Sequence, residues 1–238
     1  MKHQEENFAM QRTCFVTAVL AFCAAPVLSF ADGHEDAGNR YDLEGIYASE
    51  ISASAAYLAT NPPKGFGKGK GSAVIIDVRT LEEYVGGHPP GAYSIPFPHI
   101  HNRSNKPVDG INYITEYIPQ DPEKFVAGVD ALGLPKDAQI ITMCRTGFRS
   151  VLAGNLLADA GYTNVQNMWE GFKGNAKENT SGDLVDLDGD GLVTTSDPYS
   201  GDLDGWANFA GLPVSYKLKD KQLYGPYMDY YYMVAGER

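Results

Sequence analysis

One cysteine, Cys144, stands in "TMCRTGFRS", followed closely by Arg145, Gly147, Arg149 and Ser150. A free cysteine is ordinarily a small, inert core residue. One flanked by positive charge is a poor core residue and a good nucleophile, because nearby cations favour the thiolate. A second charged pair, Asp77 and Arg79, closes the apolar run "AVIIDVR". At the end of a buried strand such a pair reads as a strand-end ion pair.

These residues need elements to position them. "AVIIDVR" and "AQIITM" are continuous apolar runs of strand length, as expected for strands buried on both faces. The second runs straight into Cys144. "SVLAGNLLADAG" follows it as a helix ending at Gly161, and "NVQNM" as a further strand. "DPEKFVAGVDALG" predicts an amphipathic helix capped by Asp121, with Pro122 at its first position and Phe125, Val126, Val129 and Leu132 on one face. "ISASAAYLATN" predicts a short helix capped by Ser52 or Ser54. "TLEEYVGG" reads as one or two helical turns, and residues 98–110 as a loop. Strands alternating with helices predict an α/β fold with a mostly parallel sheet and helices on both faces. Ligands of such sheets bind beyond the carboxyl ends of the strands. Cys144 occupies that place, where loop N–H groups and a helix N-terminus favour an anion.

The chain has 238 residues, 43% hydrophobic and 21% charged, with a formal net charge of -11. That charge argues against nucleic acid, which rewards dense Lys and Arg. An anion site must be a local exception to it. Lys2 and Arg12 precede an apolar run over residues 14–31 that ends in Ser29-Phe30-Ala31, a small-x-small pattern. Residues 1–31 therefore read as a signal peptide, started at Met1 or Met10, and the mature chain as periplasmic or secreted with no membrane segment. Cys14 and Cys23 leave with the signal, so Cys144 remains as the lone thiol. A lone thiol in an oxidising compartment is a liability unless buried or used.

Four pieces, in order, resemble the rhodanese homology family. They are "IIDVRTLEEYVGGHPPGAYSIPF", "CRTGFRS", "AGYTNVQNMWEGF" and "GWANFAGLP". The resemblance spans residues 51–213, preceded by a flexible segment at 32–50 and followed by a tyrosine-rich tail at 214–238. It implies a sulfurtransferase: Cys144 takes sulfane sulfur from a small inorganic donor such as thiosulfate and passes it from a persulfide to a thiol or cyanide. It further implies that Arg145, Thr146, Gly147, Phe148, Arg149 and Ser150 form the substrate-binding loop. Arg145 and Arg149 would be the donor-binding cations, with a structural role open for Arg149; Asp77 and Arg79 would support the loop. No organic cofactor is expected. Two-domain members carry a basic donor contact where this chain has Glu83. Phosphatases of the same fold need a loop one residue longer than the four residues between Cys144 and Arg149. The rivals are a non-catalytic module binding a sulfur compound or protein, and a phosphatase or anion reductase.

"DLDGDGLVTTSD" interrupts this pattern within an insertion at about 175–204 and resembles the calcium loop of EF-hand and dockerin-like repeats. The resemblance implies ligands from Asp186, Asp188, Asp190, the Leu192 carbonyl and Asp197. Gly191 would make the turn, Val193 would pack inward, and Thr194 would act directly or through water. A structural calcium is expected, with a solvated acidic loop as the rival reading. His88 reads as a turn contact. His99 and His101, without a third ligand, read as loop residues. The tail, with its five tyrosines in "YGPYMDYYYMVAGER", would pack on its own domain or meet a partner.

Overall fold

The two apolar runs lie side by side at the centre of the sheet. β2 (Val74–Asp77) pairs in parallel with β6 (Ile140–Met143), with Ile76 opposite Thr142 and Asp77 opposite Met143. This computed structural model describes residues 39–62, 73–104, 115–195, 201–208 and 210–236. The expected signal and the expected ligand Asp197 lie outside them. β1 (Ser49–Ile51), β3 (Tyr93–Ser94) and β7 (Val165–Met168) complete a parallel sheet of order β1-β7-β6-β2-β3.

Both faces of the central strands are buried, which is why their sequences read as unbroken apolar runs. Ile75, Ile141 and Met143 pack with Ala53 and Ala56 of α1 (Ala53–Thr60) and with Trp206. Ile76 and Ile140 pack on the other face with Phe125, Leu157 and Tyr231, from α3 (Pro122–Asp130), α4 (Phe148–Asp159) and α5 (Met228–Gly236). Each fully buried aliphatic or aromatic side chain contributes about 1.5–3 kcal/mol.

The helix ends follow the residues expected to make them. Ser52 Oγ accepts from the Ala55 N–H at the start of α1. Asp121 Oδ1 accepts from the N–H groups of Glu123 and Lys124, with Pro122 first in α3. α2 (Leu81–Val85) begins where the Thr80 N–H donates to Glu83 Oε2.

Two expectations are corrected, and one left open is decided. The segment expected to be flexible up to residue 50 enters the fold from its described start: Asn39 is buried, and β1 is an edge strand held in register by β7. The expected loop from residue 98 instead begins β4 (His99–Ser104), which pairs antiparallel with β5 (Thr115–Pro119) around a bulge between His99 and His101. His101 is buried there and pairs with Glu82 of α2. Finally, the tail is part of the core. Ser215 exchanges backbone hydrogen bonds with His88, and Tyr231, fully buried, donates to Ser94 Oγ at 2.8 Å and meets Tyr84 edge-on.

Candidate active site

β6 delivers Cys144 to a tight turn, and α4 begins four residues later. Gly147 makes that turn with φ +103°, a conformation that suits glycine, and its N–H donates to Cys144 Sγ at 3.1 Å. A Cβ on Gly147 would stand 2.4 Å from the Trp169 carbonyl oxygen, so the backbone itself excludes a side chain. Ser150 Oγ lies 3.5 Å from Sγ and donates to the Gly147 carbonyl at 3.0 Å. The sulfur therefore faces the positive end of a twelve-residue helix. Cys144 is only 1% exposed.

The loop rests on the segment after β7. The Phe172 N–H donates to the Cys144 carbonyl at 2.8 Å, and the Lys173 N–H to the Arg145 carbonyl at 2.8 Å. Gly171 makes the close approach possible, because its Cβ would stand 2.5 Å from the Thr146 nitrogen. Below, Arg79 and Asp77 form a buried pair: Arg79 Nε reaches Asp77 Oδ1 at 2.9 Å and Nη2 reaches Oδ2 at 2.6 Å. Arg79 also donates to the Gly87 carbonyl, and its guanidinium lies 4.0 Å from the centre of the Phe172 ring. The Asp77–Arg79 pair thus meets Phe172, whose N–H holds the Cys144 carbonyl, although the two segments are distant in sequence.

The six loop residues do not share one role. Arg145 is exposed and has no ion-pair partner among the described residues. Arg149 is committed to Glu83, Nη1 to Oε2 at 2.7 Å and Nη2 to Oε1 at 2.8 Å. Burial would raise the Glu83 carboxyl, but the Arg149 guanidinium outweighs it and holds the group down at about 2. The same pair holds Arg149 above its usual range against the burial that opposes its charge. Thr146 is fixed by Tyr41, whose hydroxyl lies 2.6 Å from Thr146 Oγ1 and 2.9 Å from its carbonyl oxygen. Phe148 is 43% exposed and meets Tyr41 edge-on at 5.2 Å. His88 makes the expected turn contact: its ring stacks on Tyr84 at 3.8 Å, and burial lowers its pKa.

Tyr41 and Phe172 were invisible as site residues in the sequence. Tyr41 sits in a polar stretch with no pattern. Gly171 in "WEGF" was the one signal near Phe172, a glycine where backbones must touch. A cavity of about 690 Å³ lies elsewhere, between α3, β3 and the segment around Tyr224, and no residue of the cysteine loop lines it.

In the acidic insertion, carboxylate oxygens of Asp186, Asp188 and Asp190 lie within 4.8 Å of one another. Asp186 accepts from the N–H groups of Gly189 and Gly191, Asp188 from Asp190, and Asp190 from Leu192. Asp202, buried and unforeseen, pins both ends of the loop by accepting from Leu187 and Thr194. Val193, expected to pack inward, is instead 43% exposed.

A family model described as "Rhodanese-like domain" matches residues 66–178. An uncharacterized protein of Rickettsia conorii, RC0915, is 30% identical over 110 residues, covering 45% of this chain and 75% of that protein. Thiosulfate sulfurtransferase 16, chloroplastic, of Arabidopsis thaliana is 29% identical over 102 residues, covering 43% of this chain and 72% of that protein. Among solved structures, Rv0390 from M. tuberculosis aligns with a TM-score of 0.42 at 23% identity, over 72% of this chain and 99% of that one. The matched span holds the Asp77–Arg79 pair, the Cys144 loop and the Phe172 segment that braces it, and the chain belongs to the rhodanese-like domain family.

Proposed function

We propose that the protein is a sulfurtransferase that carries sulfane sulfur as a persulfide on Cys144. The observation that carries this reading is the Gly147 N–H donating to Sγ at the N-terminus of α4, where an anionic sulfur is favoured. The Cys144 thiolate attacks the terminal sulfur of a donor such as thiosulfate. The donor's S–S bond breaks, and sulfite leaves with the electron pair. The persulfide anion left on Cys144 is cradled by loop N–H groups. A thiol or cyanide then attacks the outer sulfur, and the Cys144 thiolate returns. Arg145 supplies charge to the donor; Arg149, held by Glu83, sets the loop. The loop length favours this over phosphoryl chemistry. Incubation with thiosulfate should add one sulfur atom to Cys144 and release sulfite; neither event, with any of several sulfane donors, would leave a non-catalytic binding module.

Calcium is proposed for the acidic loop as a structural ion, on the strength of three carboxylates gathered within one ion's reach. Asp186, Asp188 and Asp190 would hold it, with Asp197 and the Leu192 carbonyl. Export is proposed from the apolar run at 14–31. Sequencing of the mature N-terminus tests it: a start at residue 32 is expected, and an intact leader on protein recovered from the native host would contradict it.

A further inference from the structure

We propose that the sulfur donor is a singly charged organic sulfane compound, a thiosulfonate or persulfide, in preference to the thiosulfate dianion. The inference rests on the sulfur-transfer reading above. The cysteine loop and the end of β2 hold three arginines, and two are neutralised. Arg79 is paired with buried Asp77, and Arg149 is held by two hydrogen bonds to Glu83. Only Arg145 is exposed and without an ion-pair partner among the described residues. Beyond the loop, Arg40 is paired with Asp204, and the Lys173 and Lys177 amines lie 5.7 Å and 5.3 Å from the centres of the Phe172 and Trp169 rings. A donor approaching the thiolate thus meets one uncommitted cation of the loop itself and the helix N-terminus. One negative charge is matched by that field. A second meets the thiolate with no further loop cation to offset it.

The loop also offers something an organic group can use. Phe148 is 43% exposed beside Arg149, and its ring is steadied edge-on by Tyr41, which is itself held by Thr146. A donor's organic substituent gains contact on that ring; the oxygens of thiosulfate gain none.

The step balances without a further reactant. The Cys144 thiolate attacks the terminal sulfur of R–SO2–S⁻, the bond between the two sulfurs breaks, and R–SO2⁻ leaves with the electron pair. Two negative charges enter, and two remain on the persulfide and the sulfinate. From a persulfide R–S–S⁻ the leaving group is R–S⁻, with the same count.

The test compares kcat/KM for thiosulfate, methanethiosulfonate and benzenethiosulfonate, with cyanide as acceptor, in the full chain. Ratios between donors cancel changes in folded fraction or in Cys144 ionisation. Glu83→Gln frees the Arg149 charge and should raise the thiosulfate to methanethiosulfonate ratio about tenfold. Phe148→Ala should lower the benzenethiosulfonate to methanethiosulfonate ratio several-fold. Both ratios unmoved, with all three donors active, would overturn this inference and leave sulfur transfer standing. No sulfur on Cys144 from any donor would overturn both.

Discussion

Arg149 donates two parallel hydrogen bonds to Glu83, at 2.7 and 2.8 Å, and so joins the first turn of the helix after Cys144 to the helix after β2. The pair spans 66 residues of sequence. A cation that might have served the donor serves the scaffold.

This pair makes stability depend on acid. Glu83 has its folded-state pKa depressed to about 2, so its contribution is fully present above the unfolded value of about 4.3 and is lost as pH falls through about 2. Glu83→Gln should cost about 1–3 kcal/mol at neutral pH. Between pH of about 5 and about 2 the variant should then lose less additional stability than the native chain. Denaturant unfolding across that window checks it; parallel pH curves for the two proteins would contradict it.

Gly171 should tolerate no side chain. Its φ is +69°, and a Cβ would sit 2.5 Å from the Thr146 nitrogen and 2.6 Å from the Arg145 carbonyl carbon, all backbone atoms of the cysteine loop. Gly171→Ala should cost at least about 2 kcal/mol and lower kcat/KM for every sulfur donor alike. Gly161→Ala is the control, because φ is also positive there but nothing lies within 4 Å of the added Cβ. It should be strained without loss of activity in the folded fraction. Activity and melting measured on both variants decide it.

Tyr231 reports whether the tail belongs to the core. Its hydroxyl donates to Ser94 Oγ with both residues fully buried. Tyr231→Phe should cost about 1–2 kcal/mol by leaving Ser94 without its partner, and should leave the donor ratios unchanged. A melt equal to the native protein's would mean that the hydroxyl bond is not made.

Calcium should raise the melting temperature, because an ion that binds only the folded loop stabilises it by mass action. Asp188→Asn should weaken the effect. An unchanged melt on adding chelator, with no calcium found by metal analysis, would reject the ion.

The sequence made some elements plain for physical reasons. β2 and β6 are buried on both faces, and only an unbroken apolar run satisfies that. α3 shows its cap, its first-position proline and its apolar face, all local signals. The cysteine loop is legible because its cation, glycine and helix start are contiguous. What stayed hidden depends on distant partners. β1 is three residues at a sheet edge, and its identity comes from pairing with β7. His99–Ser104 is polar and finds its pattern only against β5. Tyr41 acts on Thr146 from 105 residues away, and nothing around Tyr41 marks it. Glu83 was visible as a departure at a donor position and Arg149 as a loop cation, but their pairing across 66 residues was not.

The most direct test of sulfur transfer is the intact mass of the protein after brief exposure to methanethiosulfonate or thiosulfate, followed by peptide mapping. The account predicts the gain of one sulfur atom, located on Cys144, absent in Cys144→Ser and removed by cyanide with release of thiocyanate. An unchanged mass with both donors, or a sulfur adduct that persists in Cys144→Ser, would contradict it.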